Sequence, residues 1–257
     1  MEPRTADAIV LRRWDAGESD RKLTLLTREW GVVDAYARGS RKGGSRLAGV
    51  TEPLTLATFQ LASGKRFLYV TQAQAITSFP ALRGEYEKLA IALALVELAS
   101  AILPHEQPAE DSFQLLLEAL RYVEVHAKPV AAFVWAEAAL LGVAGTAPLF
   151  DRCVVCGKKA SGSACSLSPW AGGYICSEHN SGYTDRFAAS REVCIGLARI
   201  AELEIPPANL KYAGDCAKAI VAFARKLADQ DLPAHRQLLA FLKSTSPASQ
   251  DSNAPSE

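Results

Sequence analysis

Several things that would assign this 257-residue chain quickly are missing from it. It has no net charge, with 28 Lys and Arg against 28 Asp and Glu, so nothing global marks a nucleic-acid or membrane-surface partner. There is no G-x-x-x-x-G-K-[ST] loop, no nucleotide-binding glycine fingerprint and no G-x-S-x-G elbow, which removes the commonest nucleotide-dependent and hydrolase sites. Histidine is scarce, at four residues. Of these, His105, His126 and His235 fall near helix ends or on polar faces and read as surface residues rather than bases. Glu18 and Asp20 lie close together in AGESD but lack the third acid of a metal-dependent nuclease. The longest apolar run, Leu89 to Leu103, carries Glu97 and falls short of the roughly 18 to 20 residues that cross a bilayer. It reads as a buried helix. The N-terminal MEPRTADAIV has no basic region, apolar stretch or cleavage site of a signal peptide, so the expected location is the cytoplasm.

What is present is an ordinary globular balance, 49% hydrophobic and 22% charged, enough for a packed core without disulfide staples. Short β-rich runs separated by turn residues fill the first eighty positions: Ala8–Arg13, Arg21–Thr27, Val32–Arg38, Leu54–Ala62 and Phe67–Phe79. Five consecutive strands with no helix between them suit a small barrel, and five is the strand number of an OB-fold. After Pro80 the spacing of apolar residues becomes helical. Helices are expected over Leu82–Leu103, Glu110–Val125, Pro129–Val143, Arg191–Glu204, Asp215–Asp229 and Ala234–Lys243. Residues 148–189 interrupt them with Cys, Gly, Ser and Pro. The expected organisation is α+β: an OB-fold at 1–80, a helical domain in two parts at 81–147 and 190–243, an insertion at 148–189, and a disordered polar tail at 244–257.

Four of the six cysteines lie between Cys153 and Cys176. In a reducing compartment that crowding points to a metal before a disulfide. Cys153, Cys156, Cys176 and His179 form C-x2-C-x19-C-x2-H, in which two ligands three residues apart occupy neighbouring corners of a tetrahedron and a second turn supplies the others. Gly157 and Asn180, following the two turns, tolerate a left-handed backbone. Four protein ligands leave no open position, so a bound Zn2+ would be structural. Cys165 competes with His179 for the fourth position, and an unliganded set of small hydrophobes is the plainer reading. Cys194 and Cys216 sit in helical patterns and read as core.

Between Ala35 and Thr51 the chain carries Arg38, Arg41, Lys42 and Arg46 and no acid. Interleaved glycines and serines suit this loop to phosphate oxygens, although a solvated, flexible hairpin loop explains it as well. The neutral total hides a segregation. Residues 1–80 hold 12 basic against 8 acidic side chains, residues 81–150 hold 4 against 9, and the remainder 12 against 11. The aromatics of the β region mostly alternate as core residues would, and they predict no stacking platform.

The run AIVLRRWDAGESDRKLTLLTREWG, then AYARGSRKGGSRL and EPL, and later PLFDRCVVCG and SPWAGGYIC, resembles the RecO family of bacterial recombination mediators over residues 6 to 243. That resemblance implies an N-terminal OB-fold, a helical domain and a zinc element. It also implies a non-enzymatic role in repair and homologous recombination at the bacterial nucleoid. Such proteins bind single- and double-stranded DNA, anneal complementary strands, and load recombinase on strands coated by single-strand-binding protein, whose acidic tail they contact. Their partners include RecR and, in many bacteria, RecF. Arg38, Arg41, Lys42 and Arg46 fall where the family's basic loop lies, and Cys153, Cys156 and Cys176 match zinc positions. His179 departs from the cysteine more usual there. Arg121 and Lys128 are candidate cations for the acidic tail. A protein-interaction adaptor without DNA contact, and a zinc-dependent nucleic-acid enzyme, stay open as alternatives.

Overall fold

The computed structural model describes residues 3–65, 67–161 and 164–245. The chain forms two compact units that divide between Val125 and His126. Most of the expected 244–257 tail, from residue 246 onward, lies outside the described residues.

In the first unit, β1 (Arg4–Ala16), β2 (Asp20–Thr27), β3 (Gly31–Ala37), β4 (Leu56–Ser63) and β5 (Leu68–Thr77) close into a barrel in the order β1-β2-β3-β5-β4. This is the five-stranded arrangement of an OB-fold. Period-two patterning dictates the inside: Leu23 and Leu25 of β2, Val33, Ala35 and Ala37 of β3, and Phe59 and Leu61 of β4 all point into one cluster. All contacts between β3 and β5 in the ladder are parallel, and they amount to Ala35 opposite Leu68 and Tyr36 opposite Tyr69. The unpaired start of β3 is covered instead by the segment around His105. There Val32 N–H donates to Pro104 O (3.2 Å) and Glu106 N–H donates to Val32 O (3.0 Å). Gly31 makes that approach possible, since a Cβ at this position would lie 2.2 Å from the Gln107 carbonyl oxygen.

Three helices follow in the same unit: α1 (Pro80–Gly84), α2 (Tyr86–Ile102) and α3 (Glu110–Val125). The single helix expected over Leu82–Leu103 is therefore two. Glu85 is extended (φ −125°, ψ 121°) and starts α2 as its N-cap. Gly84 just before it favours the break, because glycine has little helix propensity. The apolar spacing runs on across this point, so periodicity alone conceals it. As expected, α2 is buried nearly all round, with even Glu97 only 9% exposed.

The second unit contains α4 (Pro129–Val143), β6 (Ala164–Ser168), β7 (Gly173–Ile175), β8 (Phe187–Ser190), α5 (Arg191–Ile200), α6 (Ala213–Ala228) and α7 (Pro233–Ser244). The three strands make a sheet in the order β7-β6-β8. They were not foreseen, because strands of three to five residues are too short to display an alternation. Ser190 caps α5 by accepting the Val193 N–H. That helix ends at Ile200, four residues before the expected Glu204, in turns that lead to Pro206.

His235 corrects the surface reading of the histidines. His105 is exposed and His126 partly so, but His235 on α7 and Glu137 on α4 are both fully buried, with Nε2 2.9 Å from Glu137 Oε1. Helix-end position misled here, since α7 begins at Pro233 and turns its first-turn His inward. A buried carboxylate is tolerable only with such a partner. We predict that His235→Leu lowers stability by about 3–5 kcal/mol. Combining it with Glu137→Leu should recover most of the loss, as read from urea unfolding. A single variant as stable as the parent would show that the pair contributes nothing.

Candidate metal centre and basic surface

The metal candidates are assembled by two backbone turns. In the first, Gly157 N–H donates to Cys153 O (2.8 Å), and Gly157 adopts φ +74°, the left-handed conformation expected of it. In the second, His179 N–H donates to Cys176 O (3.0 Å). Asn180 does not take the left-handed backbone expected of it. It opens a short 3-10 turn instead, so the second turn closes in a right-handed sense. What brings the turns together is the Gly172-Gly173 pair. Tyr174 N–H donates to Leu149 O (2.7 Å), and a Cβ on Gly173 would lie 2.1 Å from that oxygen. The chain ahead of Cys153 is thus clamped to the strand that leads into Cys176.

The ligand atoms of Cys153, Cys156, Cys176 and His179 lie within 4.8 Å of one another. Cys156 Sγ is 3.8 Å from Cys176 Sγ, and Cys176 Sγ is 3.2 Å from His179 Nδ1. A tetrahedral site with Zn–S bonds of about 2.3 Å has sulfur–sulfur edges of about 3.8 Å. The four atoms fit, and the cluster can hold a metal ion such as zinc.

Thiol electrostatics agree. Burial of Cys153 opposes ionisation, yet N–H groups of Cys176, Cys156 and Val155 outweigh it and bring the thiol down to about 6. At Cys156 the Lys158 N–H favours the thiolate, but desolvation and the neighbouring thiols push it up. A bound metal would stabilise the thiolate form of all three cysteines.

Cys165 is not a member of this set. It is buried on β6 and its thiol meets Cys194. Burial pushes the Cys194 thiol far up and Cys216 to about 12, as expected of inert core cysteines.

The four basic residues stand on an ordered segment. It is no hairpin loop, because β3 and β4 are not neighbours, and the connection must cross the end of the barrel. Val50 enters the barrel core and Leu47 packs against it. Arg21, on β2, holds the crossing from below: its Nη1 donates to Ala48 O and Thr51 Oγ1 (2.7 Å each), and its Nη2 is 3.0 Å from Glu52. At the near end Gly39 N–H donates to Asp20 Oδ1 (2.8 Å). That bond is the main reason the Asp20 carboxyl sits below its usual range, and it gives Asp20 a structural task. Arg38, Arg41, Lys42 and Arg46 are all exposed. Arg41 reaches Asp15 (3.4 Å) and Gly17 O (3.1 Å), whereas the side chains of Lys42 and Arg46 make no hydrogen bond or ion pair among the described residues.

The expectation about aromatics needs correcting. Phe59 and Phe79 are core, but Trp14, Lys22, Tyr36 and Tyr69 stand opposite one another on the outer face across β1, β2, β3 and β5. Tyr36 is 4.9 Å from Phe67 and 6.2 Å from Tyr69, centroid to centroid. The Arg38 guanidinium lies 4.3 Å over Tyr69. Strand alternation does place these residues outward, but their adjacency depends on the β3–β5 contact between strands 33 residues apart. Of the two cations considered for an acidic partner, Arg121 is exposed on α3 in the first unit. Lys128, in the second, donates to Asn209 Oδ1 (2.8 Å).

Residues 1–79 match the family model described as Recombination protein O N terminal, and residues 83–213 match that described as Recombination protein O C terminal. The chain belongs to the Recombination protein O family. Among curated relatives, a DNA repair protein RecO from Pelotomaculum thermopropionicum is 38% identical over 176 residues, covering 66% of each chain. One from Heliobacterium modesticaldum is 38% identical over 180 residues, 68% of this chain and 65% of the relative. One from Gloeobacter violaceus is 34% identical over 209 residues, 80% of each. With the first of these the alignment spans just under two thirds of the relative's length. No helix among the described residues is long and apolar enough to cross a membrane.

Two outcomes are expected at the metal centre. Elemental analysis of protein purified without chelator should find about one zinc per chain, lost in Cys176→Ser and in His179→Ala but kept in Cys165→Ala. Gly173→Ala should cost about 3 kcal/mol of stability through the Leu149 clash, as read by thermal unfolding.

Proposed function

We propose that this protein is a non-enzymatic DNA-binding mediator of repair and homologous recombination, acting in the bacterial cytoplasm at the nucleoid. It anneals complementary strands and helps load recombinase on DNA coated by single-strand-binding protein, working with RecR and, where present, RecF, and contacting the acidic tail of the coating protein. The observation that carries this reading is the ordered basic crossing on a closed OB barrel. Lys42 and Arg46 are uncommitted there, in a chain whose family relatives are named DNA repair proteins.

The chemistry follows from charge and geometry. Arg38, Arg41, Lys42 and Arg46 form the phosphate-binding surface. Arginine offers a fork of donors to phosphate and lysine a point charge, and neither reads sequence from the backbone. Binding is thus indifferent to sequence, as annealing of arbitrary complements requires. Zinc held by Cys153, Cys156, Cys176 and His179 fills its coordination shell with protein atoms, which argues for a folding role and against a zinc-dependent enzyme. Division of labour follows the expected organisation, with the 1–80 barrel for DNA and the helical parts for protein partners.

The test is strand annealing with oligonucleotides coated by the cognate single-strand-binding protein, alongside direct DNA binding. If four cations each neutralise a single-strand phosphate, affinity should fall about 50-fold between 50 and 200 mM salt. Arg41→Glu with Lys42→Glu should weaken binding, flatten that dependence and abolish annealing. Unchanged affinity and salt dependence would favour the adaptor reading, in which the cations are only solvated.

A further inference from the structure

The row on the outer face of the barrel is a composite feature that the basic loop does not account for. Two of its rings are exposed, Phe67 at 46% and Trp14 at 40%, and Tyr36 and Tyr69 are partly so. Two rings of the row, Trp14 and Tyr69, are bordered by cations. Arg12 and Lys22 lie 4.9 and 5.6 Å from the Trp14 ring, and Arg38 lies over Tyr69. Asp34, the acid beside the row, is neutralised by Lys22 (2.7 Å) and accepts from Thr24 Oγ1 (2.6 Å). Beyond Phe67 the surface falls into a groove of about 410 Å3 lined by Asp34, Ser63, Gly64, Lys65, His105 and Glu106. Gly64 keeps Tyr69 in place, since a Cβ there would lie 2.5 Å from the Tyr69 ring.

From these features we infer that Tyr36, Phe67 and Tyr69, with Trp14 at the far end of the row, form a seat for unpaired nucleobases that makes the barrel prefer single strands. The inference rests on the DNA-binding reading above and assigns to it the ligand group that the loop cannot recognise. Phosphates are common to single and double strands, whereas ring faces are free only where bases are unpaired. Arg38 is the junction. It belongs to the loop cations by sequence and covers one face of Tyr69 by geometry, so a strand held by Lys42 and Arg46 on its phosphates reaches the rings next. The groove beside Phe67 gives a splayed base room, and Lys65 supplies a cation for the following phosphate.

Stacking and charge neutralisation leave different signatures, and the experiment separates them. The full-length protein would be titrated with an oligothymidylate, with an abasic strand of the same length and charge, and with a blunt duplex, each across a range of salt. The parent protein should bind the oligothymidylate at least about 10-fold more tightly than the abasic strand, and its Trp fluorescence should fall on binding. Phe67→Ala and Tyr36→Ala should each remove most of that preference while leaving affinity for the abasic strand, duplex affinity and salt dependence unchanged. Tyr36→Phe should restore it. Because Phe67 is exposed and outside the core, its variant also controls against unfolding. Equal affinity of the parent for thymidylate and abasic strands, or unchanged preference in both alanine variants, would overturn the base seat and leave the phosphate-binding loop standing. Failure of the parent to bind any strand would overturn both readings.

Discussion

Closure of the barrel by β4 returning to β1 is the constraint on which the rest of the first unit depends. Because β3 and β4 are not neighbours, the chain between them cannot be a tight turn and must travel across the barrel end. That journey caps the core, through Val50 and Leu47, and leaves Arg38 to Arg46 outside. The same closure sets β3 parallel to β5 for two residue pairs only, which places Tyr36 beside Tyr69. Cations and rings are therefore fixed by one topological requirement. Both are carried by backbone whose hydrogen bonds are largely satisfied within the barrel or by Arg21.

Zero net charge takes on a narrower meaning in this setting. It does not describe a protein indifferent to polyanions, since the barrel segment has a basic excess and the first helical part an acidic one. It does imply weak long-range attraction. Under the proposed function, local contacts, namely the exposed cations on the crossing and the rings beside them, would then decide which nucleic acid is held. Acids next to the basic loop are mostly committed: Asp20 to Gly39, Glu52 to Arg13 and Arg21, and Asp34 to Lys22.

In the second unit the corresponding constraint is the close approach of Gly173 to Leu149, which no side chain could survive. It joins two turns separated by 19 residues of sequence into one cluster of three cysteines and a histidine, while Cys165 on β6 is buried against Cys194. The cysteines of the cluster and those of the helices carry the same thiol chemistry, and their sequence contexts already differ. Surrounding N–H donors lower Cys153, whereas burial raises Cys194 and Cys216.

Much of this was legible from the residues. The five strands follow from alternation, the spacing C-x2-C and C-x2-H marks the residues that cluster, and a glycine-rich run with four cations marks the loop, because each of these signals is local. The break at Glu85 and the sheet β7-β6-β8 were not legible, as one lies inside a continuous apolar pattern and the other consists of strands too short to show a period. His235 was misjudged because a helix end says nothing about which neighbour covers it. The exclusion of Cys165 from the metal set and the assembly of Trp14, Tyr36, Phe67 and Tyr69 into one row depend on strand pairing across long sequence separations. Sequence by itself determined which groups are available and at what local spacing. Only the tertiary structure decided which of them meet, because ladder register and barrel closure, not proximity along the chain, set the distances between them.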